Sequence, residues 1–427
     1  MSYRRGTRLF AVLAVVAMVA VACGGSKKSS SSSSSGKLTA APGFDPTANT
    51  IHLGVITPLT GPVAAIGKPL TAGTETWFKY VNEELGGIGG KYKVVLDEED
   101  SQYTPALAVQ AYNKIKGGEV MIGQLLGTPV TKAVLPQLKT DNIVAAPASL
   151  DADWVRDPNL LPVGGPYQIQ MINAADYAVK NLGLKTKTAC SMIQDDAYGQ
   201  AGQAGVDYAA SKLGFTIKTT AKYPATSPTS NTDMTAPIQQ LKSNGCQIVF
   251  LTSTPTDTGK AFGKAAELQF TPQWIGQSPS YIGALIKTPL APYLQAHFLL
   301  TSEGTEWNDR SVKGMADMVD RQKKYVPAQA PDYYFGFGYL QARAVTDLLE
   351  KAVQLGDLSR AGIMAALDKL GQVSFDGLSG DYDYGTSAAT RKPPRSTTLF
   401  KINPAKDIGI EKLAVVESDT AKGYTIP

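Results

Sequence analysis

The sequence predicts an α/β protein of two similar lobes, each a doubly wound parallel sheet, joined by a hinge that the chain crosses several times. Three observations carry this. Short apolar runs alternate with amphipathic stretches from Ile51 onward, which is the rhythm of strand, helix, strand. The same alternation starts afresh after Pro166. Roughly 380 residues follow the serine-rich stretch near the start, more than one hydrophobic core usually serves.

In the first lobe the expected strands are Ile51 to Thr57, Tyr92 to Asp97, Val120 to Gly123 and Ile143 to Ala146, and the expected helices are Lys68 to Leu85, Pro105 to Lys116 and Pro129 to Lys139. The second run opens with a helix from Gln168 to Leu182. It continues through a strand Thr188 to Gln194, a helix Gly199 to Leu213, then Phe215 to Tyr223, Met234 to Ser243, Gln247 to Thr252, Asp257 to Leu268, Gln273 to Gly276 and Phe298 to Ser302. Helical patterns follow at Val312 to Tyr325, Tyr334 to Leu355 and Arg360 to Leu370, with short strands around Val373 to Tyr384 and at Thr397 to Ile402. This remainder is too small for a third domain and fits a chain that returns to the first lobe and ends in the second. The expected division is 50–167 with 303–372 for one lobe and 168–302 with 373–427 for the other.

The first residues carry Arg4, Arg5 and Arg8, then an uncharged apolar run from Leu9 to Ala22 ending in Ala20-Val21-Ala22-Cys23-Gly24. A basic region, an apolar region and a small-residue site read as a signal peptide over 1–22. The run is shorter than the roughly 20 residues a membrane-spanning helix needs. A cysteine directly after small residues resembles the lipobox of bacterial lipoproteins, with Ala20 in place of the usual leucine, and implies lipidation at Cys23. Lys27, Lys28 and the run Ser29 to Ser35 behave as a flexible tether over 23–49. Loss of the three arginines lowers the formal charge from +4 to +1, so no nucleic-acid surface is expected.

The remaining cysteines, Cys190 and Cys246, each open an apolar run read as the first and third strands of one sheet, neighbours in a doubly wound order. In an exported chain either a disulfide between them or two small buried apolar residues would fit. With only His52 and His297 far apart, no metal site and no cofactor are expected.

In open parallel sheets a ligand lies beyond the carboxyl ends of the strands, where helix N-termini present free N–H groups. In the first lobe this draws attention to Leu126, Gly127 and Thr128 and to Ala148, Ser149 and Leu150, turns short on bulk and rich in N–H groups and hydroxyls. A carboxylate cradle is one reading, and capping of their helices by Thr128 and Ser149 is the other. In the second lobe the corresponding turns hold Asp195 to Gly199 with Tyr198, Thr254, and Gln277 to Tyr281 with Ser278. Glu306, just beyond the last strand, is placed near the hinge.

At these turns the chain resembles the branched-chain amino acid binding proteins of bacterial ABC transporters, the type I periplasmic-binding fold. The matching stretches are Gly54 to Gly61 with Gly67, Val81 to Gly90, Asp100 with Pro105, Asp195 to Gly199, and Gly336-Phe337-Gly338-Tyr339. The resemblance implies that Gly127, Thr128, Ala148, Ser149 and Leu150 hold a ligand carboxylate and that Tyr198 covers the ligand. Gly127 and Leu150 depart from the family's hydroxyl residues, and Ser278 stands where an acid often receives an ammonium. Burying an unpaired ammonium costs on the order of several kcal/mol, so Asp196, Asp257 or Glu306 supplies the charge or the ligand has none. The implied role is to close around an amino acid, amide or aromatic acid and pass it to an ABC transporter permease, as a monomer tethered to the membrane. A ligand-sensing receptor with the same fold is the alternative. No nucleophile elbow, metalloprotease helix or phosphate loop is present, so no enzyme is expected.

Overall fold

The computed structural model describes residues 38–227 and 230–427. The expected signal peptide, Cys23 and the serine run lie outside the described residues, while the far end of the tether expected over 23–49 is corrected: Leu38 and Phe44 are buried and Phe44–Asp45 pairs with Thr50 and Ile51, so the folded body starts before residue 50.

The first lobe is built from β1 (Phe44–Asp45), β2 (Thr50–Thr57), α1 (Ala64–Glu83), β3 (Lys93–Asp100), α2 (Pro105–Ile115), β4 (Met121–Leu126), α3 (Thr128–Asp141) and β5 (Ala145–Ala148). Strands run parallel in the order β3-β2-β4-β5, with β1 folded back antiparallel on β2. The sequence of β4, Met121-Ile122-Gly123-Gln124-Leu125-Leu126, is buried throughout, as a strand covered on both faces must be. Registers such as Thr57 opposite Asp100 and Leu126 opposite Ala148 bring the carboxyl ends of all four strands to one edge.

The second lobe follows with α4 (Tyr167–Asn181), β6 (Ala189–Gln194), α5 (Ala197–Leu213), β7 (Ile217–Tyr223), α6 (Thr235–Ser243), β8 (Ile248–Thr252), α7 (Pro255–Glu267), β9 (Gln273–Gly276), α8 (Ala291–His297) and β10 (Phe298–Ser302). The chain then forms α9 (Lys313–Tyr325), α10 (Tyr333–Leu355), α11 (Arg360–Leu367), the small pair β11 (Gln372–Val373) and β12 (Tyr382–Asp383), β13 (Thr397–Ile402), β14 (Ile410–Val416) and α12 (Asp419–Lys422). The second sheet has the order β14-β13-β10-β9-β8-β6-β7. Its β13 and β14 are antiparallel, so the sheet is mixed where a wholly parallel one was expected. The reason is topological: β13 arrives from the other lobe without a crossover helix, and β14 follows it by a short turn.

Strand β6 lies beside β8, and Cys190 is bonded to Cys246, 56 residues away in sequence. Closing a loop of that length is worth about 4 kcal/mol in the chain-entropy account.

Helix α1 begins a turn earlier than its pattern suggested, with Ile66 and Gly67 N–H groups bonded to the Val63 carbonyl. Pro69 is therefore accommodated inside α1, and the extra turn adds Ile66 to the face that meets the second lobe. The late helix α10 returns to pack along α1. A Cβ on Gly73 would meet the Phe335 carbonyl oxygen at 2.0 Å, and one on Gly338 would meet the Leu70 carbonyl oxygen at 1.9 Å. Beneath this crossing Gln124 of β4 bonds Thr74 at 2.8 Å and Thr71 at 2.9 Å, and Trp77 donates to Thr346 at 2.8 Å. A last pass between lobes is held by Arg391, 1% exposed, which donates to the Val155, Asp157 and Leu160 carbonyls.

Replacing Gly338 by alanine forces the two helices apart and is expected to cost about 2 to 3 kcal/mol in chemical denaturation. A second expectation concerns Glu119, 3% exposed beside Asp97. Burial, then repulsion from Asp97, pushes its carboxyl up to about 8. The folded protein thus keeps a proton that the unfolded chain has released. Its stabilising effect is complete below the ordinary glutamate range and is lost as pH rises through about 8. Thermal melts should show the midpoint falling between pH 5 and pH 8.5, and Glu119→Gln should flatten that fall.

Candidate functional site

The carboxyl edges of the two sheets face each other across a cavity. The first lobe contributes Val63, Ile66 and Leu70 of α1 and its entry, Tyr103, and the turns Leu126-Gly127-Thr128 and Ala148-Ser149-Leu150. The second contributes Tyr198, Thr254, Ser278 and Pro279, Tyr167 and Glu303 come from the crossings at the start of α4 and just past β10, and α10 adds Tyr333, Tyr334 and Phe337. The cleft is shut: Thr256 of α7 donates to the Pro62 carbonyl of the other lobe at 2.8 Å, and Tyr334 donates to the Tyr281 carbonyl at 2.9 Å.

Gly127 takes φ +112°, a conformation open to glycine and strained for other residues, and a Cβ there would press on the Tyr103 ring at 2.5 Å. A serine or threonine at position 127 would therefore be strained. Thr128 opens α3, where the first-turn N–H groups lack helical acceptors. Neither Thr128 nor Ser149 caps a helix. Their hydroxyls bond each other at 2.7 Å, and the Trp154 indole N–H donates to Ser149 Oγ at 3.1 Å. The indole can only donate. One of the two hydroxyl protons bridges the pair, which leaves the other to be offered elsewhere, at the end of the cavity where α3 starts. That end is a set of donors suited to an anionic or carbonyl oxygen.

Tyr198 is 2% exposed and packs edge-on against Tyr167 with centroids 5.1 Å apart. Its hydroxyl donates to the Ser253 carbonyl at 3.2 Å, so the ring rather than the hydroxyl is what it presents. Thr254 bonds Asp257 at 3.3 Å.

Of the residues singled out from the sequence, Leu126, Gly127, Thr128, Ala148, Ser149, Leu150, Tyr198, Thr254 and Ser278 all line this cavity. Glu306 does not, which corrects its expected place. Its carboxylate takes Lys406 Nζ at 2.7 Å and the Lys412 N–H at 2.8 Å. Asp196 is spent on the N-cap of α5, accepting from Tyr198 and Gly199 N–H groups, and Asp257 binds Thr226.

The acid that does line the cavity is Glu303, the residue directly after β10. It accepts from the Tyr333 hydroxyl and from Gln170 Nε2 at 2.9 Å. Burial raises its carboxyl, opposed by hydrogen bonds from Tyr333, its own backbone, Gln170 and Ser278. No lysine, arginine or histidine lines the cavity. The strand-end rule applied one residue past Ser302 would have found Glu303. Nothing local marks Tyr333 and Tyr334, whose helical spacing reads as ordinary core, and Phe337 was marked only by the matching stretch Gly336 to Tyr339, not as a cavity residue.

A sequence model described as periplasmic binding protein matches residues 50–407. The chain belongs to the periplasmic binding protein family. Over 204 residues it is 32% identical to the Leu/Ile/Val-binding protein homolog 3 of Brucella melitensis, covering 47% of this chain and 53% of that one. The chain thus spans about half the length of the curated relatives it matches. Among solved structures, the fatty acid ABC transporter substrate-binding protein from Thermomonospora curvata superposes with a TM-score of 0.83 at 25% identity, over 91% of this chain and 97% of that one. A branched-chain amino acid ABC transporter protein from Thermus thermophilus with bound valine shares the fold, with a TM-score of 0.70 at 15% identity over 87% and 98% of the two chains. The Brucella and Thermomonospora relatives are named as binding proteins.

Ser149→Ala would leave the buried Trp154 N–H without its acceptor. Denaturant titration should show a loss of about 1 to 3 kcal/mol, the cost of an unsatisfied buried donor.

Proposed function

We propose that this chain is the extracytoplasmic solute-binding component of an ABC importer, which closes its lobes over an amino acid or a related small carboxylate or amide and delivers it to a permease. The observation that carries this reading is the cavity itself. Donors gather at one end around α3, aliphatic and aromatic walls fill the middle, and both lobes contribute to the lining. The relatives are named for leucine, isoleucine and valine or for fatty acid, and those ligands share a carboxylate and an aliphatic tail. In this reading the lobes are 50–167 with 303–372 and 168–302 with 373–427.

A ligand touching both lobes binds the closed form better than the open one and shifts the population toward it. The head group rests on the Thr128 and Ser149 turns, Tyr198 covers it, and Glu303 receives an ammonium where the ligand carries one. Cys23 is the expected lipid anchor, with the serine-rich segment as a tether. No helix of the described residues is long and apolar enough to cross a membrane. The protein works as a monomer beside its permease.

The test is a thermal-shift screen of chain lacking residues 1–22 with Cys23→Ser, against amino acids, amides and small carboxylates, followed by calorimetry on the hits. Binding stabilises the native state by mass action, so ligands raise the midpoint. Thr128→Val should weaken a carboxylate hit about tenfold, the worth of one hydrogen bond to a charged group. Tyr198→Phe should stay within about threefold, because its hydroxyl is already used by Ser253. Absence of any hit, or indifference to Thr128→Val, would overturn the reading.

A further inference from the structure

Beyond the cavity lies a second chamber, which neither the fold nor the family membership assigns to any role. It shares Glu303, Tyr333 and Phe337 with the first cavity, so these three side chains form the partition between the two. Trp307, Met315, Met318, Leu340 and Leu378 make its walls apolar. The two methionines are unbranched and adaptable, which suits a flexible chain of variable length.

Two features mark the chamber as more than a packing gap. Ser379 lines it, is 7% exposed, and its hydroxyl has no hydrogen-bond partner among the described residues. A buried hydroxyl without a partner is costly, and a ligand group reaching it relieves that cost. The partition is also unequal. Glu303 and Tyr333 are tied to each other, and Ser302 donates to the Tyr333 hydroxyl at 2.9 Å. The Phe337 ring has no polar atom and no such tie, so it can swing aside by a rotamer change alone.

We propose that the two chambers form one bipartite site for a straight-chain carboxylate of about eight to ten carbons, with its head on the Thr128 and Ser149 turns, its tail passing Phe337, and a polar terminus meeting Ser379. This rests on the placement of the head group in the first cavity. An ordinary branched-chain amino acid would fill that first cavity only. The hydroxyl at the far wall favours a tail that ends in a hydrogen-bonding group over one that ends in a methyl.

Gly336 of α10 lines the second chamber and not the first. A Cβ there meets Met318 Sδ at 3.6 Å, an ordinary contact, so Gly336→Ala is tolerated and Gly336→Leu fills the chamber from a helical position. Calorimetry would compare unsubstituted straight-chain acids of five, eight and ten carbons, their 2-amino counterparts, and 10-hydroxydecanoate. In the series whose five-carbon member binds, affinity should rise at least tenfold from five to eight carbons. Gly336→Leu should abolish that rise and leave the five-carbon ligand within about threefold, while Gly336→Ala melts like the parent. The hydroxylated ten-carbon acid should bind at least threefold tighter than decanoate, a preference that Ser379→Ala removes. Affinity that falls beyond five carbons, a rise untouched by Gly336→Leu, or equal binding of the two ten-carbon acids would overturn the proposal while leaving the head-group reading in place. Failure of every chain length would overturn both.

Discussion

The crossing of α1 and α10 is the constraint on which the site depends. Two carbonyl oxygens stand where Cβ atoms of Gly73 and Gly338 would be, so the helices approach as closely as their backbones allow. That approach buries Leu70 and Phe335 and seats α10 over the carboxyl edge of the first sheet. The residues at its first turns, Tyr333, Tyr334 and Phe337, are thereby set into the space between the lobes. A cavity that would otherwise be roofed by two lobes alone gains a third wall from a segment more than 250 residues away from α1 in sequence.

The electrostatics of the cavity are one-sided. Hydroxyls and free N–H groups collect at the start of α3, and among the described residues the lining holds one carboxylate, Glu303 just past β10, and no lysine, arginine or histidine. The partners of Glu303 are all donors, which favour the ionised form, while burial disfavours it. Glu303 also lines the second chamber.

Most secondary structure was legible in the sequence. β9, β10 and β13 fall where the apolar runs place them, because continuous apolar stretches of four to six residues flanked by turn formers have few alternatives. The short elements β1, α8, β14 and α12 were not, since they are stabilised by neighbours rather than by their own pattern: β14 exists because β13 offers it an edge. The cradle turns were legible for a general reason, that strand ends of parallel sheets point at the ligand. Glu306 was placed wrongly by three residues because a loop gives no register. Past Ser302 the backbone leaves the sheet, and only the first residue beyond it still faces the cavity.

What the sequence by itself determined is the class of machine: alternating strands and helices, two sheets, and turns bearing Gly127, Thr128, Ser149 and Tyr198 at their carboxyl ends. Those follow from local periodicity, which acts over a few residues. The tertiary structure alone decided which acid faces the solute, that Tyr198 spends its hydroxyl on Ser253, that α10 supplies a wall, and that a second chamber lies behind Phe337. Those depend on side-chain directions and on contacts between residues far apart in the chain, and no local pattern encodes either.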